Sequence, residues 1–319
     1  MITLHTLPQS TIATLPILDA TISDQRPQLL FALLDGISLG ILSMSSESAA
    51  SRSAARRSIS IRAVLLIALG LILTLWGTGV IVILDYYGFF FLLTLPMLFV
   101  SRGVLLGTSV GLAILGPFLV TAFIGLIDGV TIPTVLQLIA TWSFVGQYPA
   151  AIWMAYILFG LWMQRSGLLT PRKTLPLALA AFVIAIGTAV AAPMVVTYTP
   201  ELSIAITGIS AGAMGAALIW VLIAALKQVT GASRRVAVLA ISIGSMPLSV
   251  YVLHVLLISL IVEASGIAGL QGWTSFVFVL LACVLFAVVW RWFFVRGPIE
   301  QFARWMTSQT EKLPVTFSR

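Results

Sequence analysis

The segment LLIALGLILTLWGTGVIVILDYYGFFFLLTLPML (65–98) decides the class of fold. It holds two long apolar runs joined at Gly77-Thr78-Gly79, and its one charged residue is Asp85. A helix of about 20 apolar residues crosses a bilayer core of about 30 Å, so each run is long enough for one span. The segment therefore predicts a helical hairpin inside a membrane.

The composition of the whole chain agrees with this interpretation. Of the 319 residues, 60% are hydrophobic, only 8% are Asp, Glu, Lys or Arg, and the net charge is +7. Soluble domains have about 25% charged residues, and a soluble fold of this length could not cover its surface with so few. Because helices satisfy their own backbone hydrogen bonds in lipid, the composition predicts an all-α, polytopic integral membrane protein that sits in the lipid bilayer.

Apolar runs alternate with short charged, glycine or proline joints along the chain. We predict a transmembrane helix bundle of about nine spans, near residues 27–45, 61–77, 79–100, 104–126, 147–164, 175–196, 203–226, 236–262 and 273–295. The longest joint is predicted to contain a short interfacial helix that Pro133 begins. Residues 1–26 would then form an extracytoplasmic segment, 27–296 the membrane domain and 297–319 an amphipathic cytoplasmic tail.

Arginine and lysine gather in alternate joints, while the opposite joints carry acidic residues, with Arg26 as the exception. The positive-inside rule places the basic joints in the cytoplasm. We therefore predict a multi-pass protein of the cell membrane with the N-terminus outside and the C-terminus inside. The same rule explains the positive net charge without a nucleic acid partner.

That orientation requires residues 1–26 to lie outside, although they show no signal peptide. Two explanations stay open. A weakly charged tail can be translocated by itself, or one more helix precedes Met1 in the full pattern.

Ionisable residues within membrane spans are candidates for function because they are costly to bury in lipid. Asp35, Asp85 and His254 lie in predicted spans, and Tyr251 shares a helix face with His254. By rise per residue, Asp85 and His254 fall in the half of the membrane farther from the basic joints, and Asp35 near the middle. A histidine general base oriented by a carboxylate would suit this group. The residues predicted to line the same outward pocket are Arg26, Tyr86, Tyr87, Gln147 and Tyr148.

Each of these residues also has a structural interpretation. His254 could form a hydrogen bond between helices, Asp85 could cap its helix, and Asp35 could pair with Arg26 or a serine. Tyr86 and Tyr87 could anchor the membrane interface. The sequence contains no cluster of cysteine and histidine that would predict a metal site.

Glycines in TGISAGAMGAA (207–217) recur at Gly208, Gly212 and Gly215. Small residues at helical spacing favour close packing of membrane helices. A phosphate-binding loop is disfavoured because no Gly-Lys-Ser/Thr follows.

Several strings resemble one family of bacterial membrane proteins, the YeiB-like group often named heparan-alpha-glucosaminide N-acetyltransferase-like. The strings are QLLFALLDGISLGIL (28–42), the hairpin at 65–98, GQYPAAIWMAYILFGLWMQR (146–165), GSMPLSVYVLHVLL (244–257) and WRWFFVRGPIEQFARWMT (290–307). The resemblance covers almost the whole chain in order. It departs at the start, because residues 1–26 contain no match to the family's first helix, LDxaRGlAllGMxxxH, so the chain resembles a truncated and inactive member or one whose start lies further upstream.

The resemblance implies a membrane acyltransferase that takes acetyl groups from acetyl-CoA and modifies an envelope glycan or lipid acceptor. In that case His254 is expected to act as the base or to contact a ligand, and Asp85 to be its carboxylate partner or to bind the acceptor. The other pocket residues are expected to bind the acceptor. Two further functions stay open: a secondary transporter of a small polar solute, which a helix break at Gly244-Ser245-Met246-Pro247 would suit, and a non-catalytic membrane assembly protein.

Overall fold

The computed structural model describes residues 26–44, 48–77, 80–130, 133–170, 174–226, 228, 230, 241, 243–270 and 272–311. Its helices are α1 (Arg26–Ser43), α2 (Ala49–Leu75), α3 (Leu84–Thr94), α4 (Arg102–Ile127), α5 (Thr134–Ala140), α6 (Ala150–Arg165), α7 (Thr174–Val195), α8 (Pro200–Leu226), α9 (Pro247–Leu270), α10 (Trp273–Phe293) and α11 (Pro298–Glu311). Within these ranges the chain forms no β-strand.

Six of the described helices are long and apolar enough to cross a membrane, namely α2, α4, α7, α8, α10 and the part of α9 up to Gly266. A seventh span results if α5, with the π-helical turn that follows it, and α6 are one broken span bent by 61°. The prediction of an all-α, multi-pass membrane protein is confirmed. The count of nine spans and the sides of the two termini stay predictions, and the predicted extracytoplasmic segment lies outside the described residues except for its last residue, Arg26.

Three predicted spans differ from the helices observed. The segment expected as one helix at 79–100 has a non-helical stretch at 80–83, then the short α3, then a 3₁₀ turn at Leu95–Met97. Pro96 lies in this turn, where it has no N–H to continue an α-helical ladder. The apolar part of α1, Gln28–Ser43, is shorter than a full span. The helix expected at 236–262 has its described continuous part from Pro247, so the predicted break before Pro247 is observed, while residues 231–240 lie outside the described ranges.

The helix predicted after Pro133 is present as α5, and Pro133 occupies its N-cap position. Proline is suited to a helix start because its missing N–H would have no intrahelical partner there. The bent α5–α6 pair therefore begins where Pro133 predicted the start of a helix.

The chain folds as two compact units. The described residues of unit 1 lie within Arg56–Gly88 and Val229–Arg319, and those of unit 2 within Gln25–Ala55 and Phe89–Gln228. In unit 1, α9 packs against α10 and α11. In unit 2, α6 packs against α1 and α4, and α8 packs against α7, α4 and α1.

Glycines in unit 2 allow helices to approach backbone to backbone. A Cβ at Gly36 would lie 2.8 Å from the Ile157 carbonyl carbon and clash with its oxygen, and a Cβ at Gly160 would clash with the Leu33 carbonyl. These reciprocal contacts hold α1 and α6 together. The packing role predicted for Gly208 and Gly212 is confirmed, because both face the Tyr156 side chain.

The outward faces of the long helices carry large apolar side chains. Val183 on α7 is 69% exposed and Leu285 on α10 is 64% exposed. Such faces are stable against hydrocarbon and would be costly against water. They are the surfaces that we assign to lipid contact.

Replacement of Gly36 by alanine is expected to lower the free energy of unfolding by roughly 1–3 kcal/mol, because the added methyl overpacks a backbone contact. The matched control is Gly187→Ala on α7, where a Cβ meets nothing within 4 Å. The control should leave stability unchanged or raise it by roughly 0.5–1 kcal/mol through helix propensity. Thermal unfolding in detergent measures both, and equal effects would contradict the α1–α6 contact.

Candidate functional site

Asp85 lies in the first turn of α3 and is only 6% exposed. Gly70 of α2 packs directly against it, since a Cβ at Gly70 would lie 2.8 Å from the Asp85 Cβ and closer still to its backbone nitrogen. One turn later Gly88 packs against the backbone of α2 at Ala63 and Ile67. Two glycines therefore bring α2 and the start of α3 together and fix the position of the carboxylate. A carboxylate in a first turn is also favoured by the helix dipole.

Tyr251 and His254 of α9 belong to the same unit as Asp85. The backbone N–H of Ile83, two residues before Asp85, donates a 3.1 Å hydrogen bond to the Tyr251 hydroxyl oxygen. The Tyr251 and His254 rings meet edge to face with centroids 4.8 Å apart, and His254 is 3% exposed. We call Asp85, Tyr251 and His254 the α3–α9 polar cluster. The structure thus places Tyr251 against Ile83, two residues before Asp85, and His254 against Tyr251.

Tyr86 and Tyr87 follow Asp85 on α3 and are 7% and 6% exposed. Both phenol rings are therefore in the protein interior. They occupy the same helix turn as Asp85, as expected for residues near one site.

The other predicted pocket residues belong to unit 2. Tyr148 is buried and its ring meets Trp153 edge to face at 5.1 Å, Gln147 is exposed, and Asp35 is half-buried on α1. Arg26 is the first residue of α1, and its side chain lies outside the described part of the structure. A single pocket that joins these residues to the α3–α9 polar cluster stays a prediction.

The described residues contain no group of three His, Cys, Asp or Glu side chains placed to hold a metal ion.

The candidate span of α9 runs from Pro247 to Gly266, so His254 lies about 4 Å from the midpoint of this helix, on the side nearer Pro247. The span predicted from the sequence began at residue 236, and residues 231–240 lie outside the described ranges. The depth of His254 in the membrane therefore stays a prediction.

Glu300 of α11 caps the start of α9. Its Oε1 accepts hydrogen bonds from the backbone N–H groups of Leu248 (2.7 Å) and Ser249 (3.1 Å), and its Oε2 accepts one from the Ser249 hydroxyl. In return, the N–H of Ile299 donates to Ser249 Oγ at 3.1 Å. First-turn N–H groups have no partner inside their own helix, so the two helix starts satisfy each other. We call this arrangement the α9–α11 clamp.

Further contacts fix the turn between α10 and α11. Arg291 donates to Ser245 Oγ at 2.8 Å, and the Trp290 indole N–H donates to the Arg296 carbonyl at 2.8 Å. Gly297 fits because a Cβ there would lie 2.7 Å from the Met246 Cβ. The sequence did not predict that Glu300 positions the start of α9. The signal was the string RGPIE (296–300), which unites the close-packed glycine, a helix-starting proline and the capping carboxylate.

A pair of arginines lies in unit 1 as well. Arg62 of α2 and Arg304 of α11 are near enough to repel each other electrostatically. Arg62 is half-buried, and its Nε is a buried donor with no hydrogen-bond acceptor among the described residues. Arg62 is eight residues before Gly70, so along α2 it lies about 12 Å from the level of Asp85.

The comparisons with known proteins match part of the chain. Residues 163–310 match the model of a family described as a protein of unknown function (DUF418), a family of membrane proteins. The matched part includes Tyr251, His254 and Glu300, and it begins after Asp85. No curated protein and no solved structure matches the chain.

Replacement of Glu300 by alanine is expected to lower stability by roughly 0.5–2 kcal/mol, the usual loss when a helix cap is removed. The amides of Leu248 and Ser249 should then exchange with deuterium faster. Gln301→Ala is the matched control, because Gln301 is the exposed neighbour on α11. Unchanged exchange at Leu248 and Ser249 in the Glu300 variant would contradict the clamp.

Proposed function

We propose that the protein is an integral-membrane acyltransferase that moves an acetyl group from acetyl-CoA to a hydroxyl or amine of an envelope glycan or lipid. The α3–α9 polar cluster carries this proposal. A histidine buried near the middle of a membrane helix is costly, and here a neighbouring tyrosine, itself tied to the Ile83 backbone, holds the ring in place. Such a fixed imidazole suits proton transfer during catalysis.

In this mechanism His254 takes the proton from the acceptor O–H or N–H. The acceptor atom attacks the acyl carbonyl carbon, the carbon–sulfur bond breaks, and the thiolate that leaves takes up the proton. Asp85 orients the imidazole and stabilises its charged form. Tyr251 holds His254 in place through the edge-to-face contact.

The phosphates of acetyl-CoA, the acyl donor, would bind at the Arg62–Arg304 pair. Guanidinium groups bind phosphate through charge-assisted hydrogen bonds, and a phosphate would supply the acceptor that the buried Arg62 Nε requires. Asp85 lies about 12 Å from the level of Arg62 along α2. A long flexible acyl carrier with phosphates at one end suits this separation.

A secondary transporter is the second candidate, and one observation favours it. The bent α5–α6 pair and the helix start at Pro247 are interruptions of apolar segments. Broken helices near the membrane midplane are typical of transporter binding sites.

In membrane vesicles given radiolabelled acetyl-CoA, the wild-type protein is expected to transfer label to an envelope glycan or lipid. His254→Ala should lower that rate by about 100-fold or more, because the general base is lost. Ser265→Ala is the matched control on α9, since this exposed hydroxyl bonds only within its own helix, to Ile261. Thermal unfolding of each variant separates lost chemistry from lost folding.

Other outcomes decide between the candidate functions. Flux of a polar solute into vesicles without acyl-CoA, and with no label transfer, would favour the transporter. If His254→Ala changes only thermal stability, and wild-type vesicles show neither transfer nor flux, the polar cluster serves helix packing and the enzyme proposal fails.

Arg62→Gln is expected to raise the KM for acetyl-CoA about tenfold and leave kcat nearly unchanged, since it removes a charge-assisted contact to the donor. Arg56→Gln is the control, because Arg56 is an exposed arginine earlier on α2. The donor site is misplaced if both variants raise KM equally or if neither does.

A further inference from the structure

Unit 2 contains an apolar cavity of about 420 Å³ between α4, α6, α7 and α8. Residues from each helix line it, among them Ala113, Tyr156, Trp162, Ile184 and Ala213. The cavity is partly open to the outside of the unit. Its size lies within the range of ordinary ligand sites.

The cavity wall is almost entirely apolar, and two of its polar side chains are used within the protein. Ser109 donates its hydroxyl to the Ala155 carbonyl at 2.8 Å, and the Trp220 indole N–H donates to the Leu168 carbonyl at 2.9 Å. A bound water requires two to four polar partners, so this wall is unsuited to water, sugars or ions. An empty cavity would forfeit dispersion contacts. In a membrane, the apolar molecule at hand to fill it is a lipid chain.

Three arginines gather at one end of unit 2, around the loop between α3 and α4. The Arg165 guanidinium donates to the carbonyls of Leu98 and Val100. Arg52 lies over the Phe99 ring, 5.4 Å from its centroid. Arg102 is near enough to Arg165 to repel it. We call Arg52, Arg102 and Arg165 the basic end of unit 2.

Residues that line the cavity lie near this basic end along the chain. Trp162 lines the cavity one turn before Arg165 on α6, and Leu168 lines it three residues after Arg165. On α4, Ser109 is seven residues from Arg102, or about 10 Å along the helix. An apolar cavity with several positive charges within about 10 Å along its helices is complementary to an acyl chain that carries a negatively charged headgroup.

We propose that unit 2 binds one anionic phospholipid, with an acyl chain in the cavity and the phosphate at the basic end. The pairing of apolar and cationic surfaces selects a phospholipid over a neutral lipid, because each arginine near anionic lipid contributes about 1 kcal/mol. The site does not depend on the transferase activity, since none of its residues belongs to the α3–α9 polar cluster. The lipid would also support the packing of α6 against α4 and α8.

Photo-crosslinking in liposomes tests the site with the full chain. The probe is phosphatidylglycerol with a diazirine on one acyl chain, and mass spectrometry maps the labelled residues. We expect labels on cavity residues of α4, α6, α7 and α8, and their loss in Ala213→Phe, whose added ring fills the cavity. Ala189→Phe, on an exposed position of α7 outside the cavity, should retain them.

A second measurement does not depend on filling the cavity. Arg102→Gln should lower the preference for phosphatidylglycerol over phosphatidylcholine about fivefold, the change expected for one arginine. Arg296→Gln is the charge-matched control, since Arg296 is exposed and belongs to unit 1.

Three results would overturn the proposal. Labelling confined to the outer helix faces would show that the cavity is not occupied by lipid. Displacement of the cavity label by palmitoyl-CoA but not by phosphatidylglycerol would identify a different occupant. If Arg102→Gln and Arg296→Gln have the same lipid preference, the basic end does not bind a lipid headgroup.

Discussion

Close approach of helix backbones at glycine is the contact on which the structure depends. Lipid tails are as apolar as leucine, so the hydrophobic effect does not drive membrane helices together, and packing at small residues takes its place. In unit 2 this contact joins α1 to α6 through Gly36 and Gly160. In unit 1 it joins α2 to α3 through Gly70 and Gly88. Each contact leaves no room for even one methyl group.

The same contact gives the candidate site its position. Gly70 places α2 against the Asp85 backbone. The hydrogen bond from Ile83 to Tyr251 joins the adjacent non-helical stretch to α9. The α9–α11 clamp then caps the start of α9, about two turns before His254. Packing, capping and one hydrogen bond between segments thus determine the surroundings of the imidazole. The proposed proton transfer depends on these surroundings.

The sequence predicted the membrane class and most of the helices, because apolar length and charge are local properties of the chain. Proline and glycine signals also predicted the start of α5 and the break before Pro247. The lengths of the spans were less predictable, as the 79–100 segment shows. Apolar composition alone does not distinguish an α-helix from a non-helical stretch or a 3₁₀ turn. Glu300 was missed because its partners, Leu248 and Ser249, are about 50 residues away, and single-sequence patterns do not show such contacts. For the same reason, the sequence alone did not predict the cavity near Tyr156.

The central claim is that Asp85 and His254 act as one buried group in unit 1. A double-mutant cycle of Asp85→Asn and His254→Gln, measured as free energies of unfolding in mixed micelles, tests it most directly. Side chains in one polar network show coupling energies of about 0.5–3 kcal/mol, and the account predicts a coupling in that range. Additive effects of the two substitutions would contradict it.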